Sequence, residues 1–279
     1  MQKEIAQIKF NIKSYKRLYG LLAGEHKSFL SGNGLDFREL KEYSTNDDIR
    51  RMNWKVTAKR GEPCINLFNE DKKLNIVLVY LVSGGIYFGS VRSKKEVMDE
   101  IFANLSYAAF LKKDSVSTLF FSTKEEYYRG VSTNKSVMLR DFVQLKTLEV
   151  LGKEIDLKLL EEYLLHRVKR KSLFFFVGDF LEMPDFRVLS AKHEIYCAVV
   201  RDRYEEDISY FGNCSIVDAN TKASSKFYGN HSVIKEYQKL IESHDRVLFD
   251  RFRKLKIKAK KVYTNDNIIP ILASLVKDR

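Results

Sequence analysis

Two apolar runs of strand length constrain this chain most: LNIVLVYLV (74–82) and SLFFFVGDF (172–180). A strand that is greasy on both faces cannot stand in a sheet with one wet side. It needs helices above and below, which is the situation of a parallel sheet. The intervening segments supply those helices. Residues 93–112 carry Val97, Ile101, Leu105, Ala108 and Ala109 on one helical stripe. SVSTLFFS (115–122) and YYRGV predict strands, and 134–147 and 154–169 predict helices. A short helix is expected after Pro184, a strand at EIYCAVVRD (194–202), and short strands and turns over 203–230. A long helix over 231–255, a strand at KIKAKKVYT (256–264) and a last helix over 266–278 complete the pattern. Alternation of this kind predicts an α/β fold with a mainly parallel sheet flanked by helices.

The first quarter of the chain is less regular. Residues 1–30 mix helix and strand signals and receive no assignment. SGNGL (31–35) predicts a turn, because Gly and Asn accept positive φ. Residues 36–70 carry dense alternating charge around the single Trp and end in an extended CINLF. Only three prolines occur and no Gly- or Pro-rich tether is present. Residues 1–73 are therefore expected to pack, as an N-terminal extension, on an α/β domain spanning 74–279.

Composition narrows the function. A hydrophobic content of 44% suits a folded core. Cys64, Cys197 and Cys214 lie far apart and form no C-x-x-C pair, so they read as buried thiols of a reducing compartment. No stretch approaches the ~18–20 apolar residues of a membrane span. The N-terminus lacks the apolar block of a signal peptide. These readings predict a cytoplasmic protein. The formal charge is +12, and residues 1–60, with 13 Lys/Arg against 7 Asp/Glu, supply half of it. A solvated basic surface, an acidic protein partner or nucleic acid each fits such a charge. No basic run of five or more accompanies it.

Chemistry is sparse. The histidines His26, His166, His193, His231 and His244 show no metal-ligand spacing, and no nucleophile, base and orienting group stand together in the sequence. SGNG and SGG lack the G-K-[ST] of a phosphate loop. Two strand ends stand out, VSGG and VGDF, because open α/β sheets bind ligands there. Ser83 offers a hydroxyl and Asp179 a carboxylate, both oxygen donors of the kind Mg²⁺ takes. Asp179 reads equally as a helix cap or the partner of a lysine. In DDIRRMNWK, Asp47, Asp48, Arg50, Arg51 and Lys55 are expected to form an ion-pair network with Trp54 stacked on it. That network serves either to pin the N-terminal segment or as a docking surface, since Arg and Trp are common interface anchors.

The stretch SGNGLDFRELKEYSTNDDIRRMNWKVTAKRGEPCINLF, followed by an apolar strand and FGS, resembles the family called domain of unknown function 58. That family's pattern runs G-x-D-F, Y-x-x-G-D-D-x-R-x-I-D-W-K-x-x-A-R, then D-x-S-x-S-M-x-F-G-S. The chain keeps Gly34, Asp36, Phe37, Tyr43, Asp47, Asp48, Arg50, Trp54, Lys55 and Ala58, with Asn46 and Asn53 where the family usually has Gly and Asp. AVVRDRYEED…FGNCSIVDANT is also similar to the family's strand, acidic turn and D-x-x-T hairpin. The resemblance implies a von Willebrand A-like, Rossmann-like domain with a metal-ion-dependent adhesion site. Aligned on Phe88–Gly89–Ser90, the D-x-S-x-S of that site falls on Leu81, Ser83 and Gly85, with Asp179 matching a later acid. Loss of the aspartate and the second serine makes the site degenerate and predicts no Mg²⁺ cofactor.

The expected function is that of a non-enzymatic protein-interaction module. The resemblance points to partnership with a MoxR-type AAA+ ATPase in chaperone-like complex assembly. The alternatives are a basic nucleic-acid-associated protein and a cation-dependent interaction domain that uses Ser83 and Asp179.

Overall fold

A computed structural model describes residues 31–45, 47–69, 73–208, 213–228 and 231–277, and two compact units divide it at residue 73/74. In the larger unit six strands form one sheet: β3 (Asn75–Leu81), β4 (Ser115–Phe121), β5 (Glu125–Ser132), β6 (Leu173–Gly178), β7 (Glu194–Arg201) and β10 (Lys258–Tyr263). Their order is β10-β7-β6-β3-β4-β5, all parallel except β5, which pairs antiparallel with β4 at one edge. A two-stranded hairpin, β8 (Asn213–Val217) and β9 (Ser224–Tyr228), stands outside the sheet.

Helices α2 (Lys94–Leu111), α3 (Lys135–Thr147) and α8 (Ile268–Lys277) cover one face. Helices α4 (Leu157–Arg167), α5 (Arg187–Lys192) and α7 (His231–Lys254) cover the other. The central strand shows why both apolar runs were needed. Ile76, Leu78 and Tyr80 of β3 enter the first core, and Val77, Val79 and Leu81 the second. Tyr80 packs edge-on to Phe102 and Phe120, and its hydroxyl donates to Asp99 at 2.9 Å, which lets a tyrosine lie fully buried. Ser93 opens α2 with a capping box closed by Glu96. The edge strand β10 carries Lys258, Lys260 and Lys261, charges that discourage pairing with another sheet. This is the α/β architecture expected of a Rossmann-like, von Willebrand A-like domain.

One short helix, α6 (Arg203–Glu206), lies in the region expected to hold only strands and turns. Asp202 caps it through a capping box with Glu205. Among the described residues no helix is long and apolar enough to cross a membrane.

The smaller unit, residues 23–73, pairs β1 (Ser31–Glu42) antiparallel with β2 (Cys64–Asn69). The turn expected at 31–35 is instead the start of β1. Both Ser31 and Asp36 register with Asn69, so the Gly- and Asn-rich stretch is taken up as an irregularity within the strand. Between the strands lie a 3₁₀ turn (Ile49–Arg51) and α1 (Trp54–Arg60). Asn53 caps α1 by accepting the Val56 N–H at 3.1 Å, and its own amide donates to Asn66 Oδ1 at 2.9 Å. An aspartate there could cap but could not donate. Gly61, at φ +74°, ends the helix. Residues 1–30 lie outside the described residues, as do the side chains of Asp36 and Cys214. Cys64 and Cys197 are free and buried.

Candidate functional site

The strand order reverses between β3, the first strand of the sheet, and β6, the fourth. Ligands of open α/β sheets bind outside the carboxyl ends of the strands at such a point. The segments that leave those ends are 82–91 after β3 and 179–181 after β6. Ser83 and Asp179 are both buried. A Cβ placed on Gly85 would stand 3.2 Å from Asp179 Oδ2 and 3.9 Å from Ser83 Oγ, so these three positions converge. Among the described residues Ser83 Oγ has no hydrogen-bond partner. Leu81 turns into the core below the α4, α5 and α7 layer and lies against Gly178.

Asp179 pairs with a lysine. The Lys94 ammonium stands 3.5 Å from Asp179 Oδ2 and 2.6 Å from Glu205 Oε1, and its side chain is 0% exposed. Glu205 Oε2 accepts the Asp202 N–H at 3.1 Å, so one carboxylate serves both the capping box and Lys94. Arg201 at the end of β7 donates to the Asp179 carbonyl and, at 2.8 Å, to Asp245 Oδ1. Lys261 completes this second group, 2.6 Å from Asp245 and 2.8 Å from Glu206. Burial raises the Asp245 carboxyl, but Arg201 and Lys261 outweigh burial and hold it below the usual carboxylate range. Burial likewise opposes the Lys261 ammonium, and Asp245 and Glu206 reverse that effect and raise it.

Three anchors fix the loop itself. Asp202 Oδ2 accepts from the Ser90 N–H and hydroxyl at 2.9 and 3.0 Å and from Thr264 Oγ1 at 2.5 Å. Burial raises Asp202, and these donors together with the Tyr204 N–H bring it below its ordinary value. Asn220 Oδ1, in the turn of the β8–β9 hairpin, accepts the Gly85 N–H at 3.0 Å. The Gly84 N–H donates to the Lys153 carbonyl at 2.8 Å, and a Cβ on Gly84 would meet the Ala219 carbonyl at 1.9 Å. The hairpin turn is held by Asp218, which accepts from Asn220 N–H and Thr221 Oγ1, both at 2.8 Å. Around this rigid loop Tyr87, Phe88, Val91 and Leu181 stand 60%, 42%, 76% and 43% exposed.

The donor set does not fit Mg²⁺, the ion the family resemblance implies. A magnesium shell needs six oxygens in near-octahedral array. Leu81 and Gly85 offer none, and the Lys94 ammonium occupies the approach to Asp179. Among the described residues no group of three His, Cys, Asp or Glu side chains could hold a metal ion.

Among the described residues the charged signature forms two separate local pairs rather than one network. Asp47 accepts from the Ser44 N–H and hydroxyl and pairs with Lys41 at 3.0 Å, and those bonds, the Ser44 backbone first, lower its carboxyl to about 2. Asp48 pairs in bidentate fashion with Arg50 across the 3₁₀ turn. Arg50 and, by its charge alone, Arg51 lower the Asp48 carboxyl, and among the described residues Lys55 joins neither pair. Trp54 is 68% exposed rather than stacked on the charges. The spacing explains this: side chains two or three residues apart in a tight turn satisfy one another locally. Tyr43 is tied to the unit through its N–H to the Pro63 carbonyl at 2.8 Å.

Fold and site together define an open α/β domain with a closed, salt-bridged switch point under an apolar rim. The chain belongs to the family "Protein of unknown function DUF58", whose model matches residues 39–247. It is similar to the uncharacterized proteins Mb1516 of Mycobacterium bovis and Rv1480 of Mycobacterium tuberculosis, 24% identical over 240 residues, which cover 82% of this chain and 74% of theirs. Among solved structures, the conserved hypothetical protein BatB from Bacteroides thetaiotaomicron aligns over 73% of this chain and 97% of its own, at 9% identity and a TM-score of 0.46.

Proposed function

We propose that this chain is a cytoplasmic, non-enzymatic interaction module. It docks a protein partner on the apolar rim of its strand-end loop, and the partner is an AAA+ ATPase of the MoxR type that acts in complex assembly. The observation that carries the reading is the exposure of Tyr87, Phe88, Val91 and Leu181 around a loop whose backbone is pinned on both sides. Exposed aromatics on a rigid support lose little entropy on binding and are the usual anchors of an interface. The class of partner follows from the family resemblance, and the rim supports the mode of contact.

The test is capture from a nuclease-treated lysate of the source cell in ATP and Mg²⁺, with bound proteins identified by mass spectrometry. The wild type is expected to retain an AAA+ ATPase through an EDTA wash. Tyr87→Ala/Phe88→Ala is expected to reduce its recovery by about 10-fold or more, the equivalent of one modest hot spot. Absence of an ATPase from the treated lysate, with proteins or nucleic acid captured only when nuclease is omitted, would defeat the proposal and favour a nucleic-acid role.

A further inference from the structure

Lys94 is out of place in two ways. Its ammonium is withdrawn from water, which is costly for a charge without partners. It also stands on the first residue of α2, at the positive end of the helix dipole, where a cation is disfavoured. Among the described residues both penalties are offset by the carboxylates of Glu205 at 2.6 Å and Asp179 at 3.5 Å. Those acids come from different strand ends, one after β6 and one after β7. A single ammonium therefore ties three segments together at the point where an open α/β sheet binds its ligand.

We infer that Lys94 is a tethered cation. Its ammonium takes the electrostatic place of a bound ion at the switch point and holds the strand-end loops together without metal. Neighbouring residues agree with this assignment. The positions that would complete an oxygen shell are an apolar Leu81, packed on Gly178, and Gly85, whose Cβ position lies 3.2 Å from Asp179 Oδ2. A divalent ion brought to Asp179 would meet a fixed positive charge. Restoring the missing oxygens is therefore not sufficient to create a metal site, because Lys94 must also go. This inference is independent of the identity of the partner.

The experiment is thermal unfolding of the full chain in Mg²⁺ and in EDTA. The wild type and Leu81→Asp/Gly85→Ser are expected to melt at the same temperature in both. Leu81→Asp/Gly85→Ser/Lys94→Ser is expected to melt about 5 °C higher in Mg²⁺, at ion concentrations roughly 100-fold above Kd. A Mg²⁺ shift of that size in the wild type or the double variant overturns the inference, and so does a folded triple variant with no shift. A second set covers the case in which the triple variant does not fold. Lys94→Met leaves the buried Asp179 and the half-buried Glu205 without their shared cation and is expected to lower the melting temperature by about 6 °C or more. Lys94→Met/Asp179→Asn/Glu205→Gln is expected to regain most of that loss. An unchanged melting temperature for Lys94→Met overturns the inference.

Discussion

Leu81 and Gly178 stand side by side at the ends of β3 and β6, and each explains the other. A Cβ on Gly178 would come within 2.5 Å of Leu81 Cδ1 and 2.7 Å of its Cβ, so the leucine occupies the room that the glycine leaves. The contact with Cβ matters, because no rotamer change moves that atom. Gly178→Ala is expected to cost about 1–3 kcal/mol through overpacking. The cost should shrink in part in a Leu81→Ala background, which removes the Cγ and Cδ1 contacts and keeps the Cβ one, although Leu81→Ala alone loses about 2–5 kcal/mol of buried contact. A double-mutant cycle by denaturant unfolding checks this. Equal effects of Gly178→Ala in both backgrounds would show that the two residues are not coupled. Ser83 and Asp179 were visible in the sequence because they follow apolar strands, and Leu81 and Gly85 through the alignment to the family motif. Lys94, Glu205 and Arg201 were not. Lys94 looks like any lysine in SKKE, and its burial depends on two acids 85 and 111 residues away. Its position directly after a capping serine, against the helix dipole, was the only local sign.

At the scale of elements, the β8–β9 hairpin explains how the loop keeps its shape. The hairpin contributes nothing to the sheet, yet its turn accepts the Gly85 N–H through Asn220 and the Gly152 N–H through the Ala219 carbonyl at 2.8 Å. Asp218 and Thr221 make the turn rigid enough to hold that geometry. Asn220→Ala removes the acceptor, and exchange of the Gly85 amide is expected to speed up about 5- to 10-fold, the worth of one hydrogen bond. Asn220→Asp keeps an acceptor and should leave exchange close to wild type. Hydrogen exchange read at residues 84–86 decides between them. In the sequence this hairpin was legible by pattern as short strands and turns, and by family resemblance as a D-x-x-T hairpin. Long elements were legible because burial on both faces writes an unbroken apolar run, as in β3 and β6, and cover on one side writes a helical stripe, as in α2. Strand β1 was missed because its Gly- and Asn-rich start has turn chemistry, and pairing with β2 overrides that preference.

At the scale of the whole molecule the net charge of +12 decides between two kinds of partner. Internal pairs such as Lys94 with Glu205 and Arg201 with Asp245 remove both signs equally, so the surplus stays with the remaining surface. Such a surplus attracts any polyanion, and that attraction consists almost wholly of counterion release. Binding to a 20-base-pair duplex is therefore expected to be weak and salt-labile, falling about 100-fold between 50 and 200 mM salt if four phosphates are contacted. Tyr87→Ala/Phe88→Ala carries no charge change and should leave it untouched. Fluorescence anisotropy of a labelled duplex across that salt range makes the comparison. An apolar interface on the strand-end rim behaves in the opposite way, insensitive to salt and lost with the two aromatics. Duplex binding that persists at 200 mM salt and weakens in the rim variant would place nucleic acid on the same surface, and the rim would then no longer be a protein-docking site.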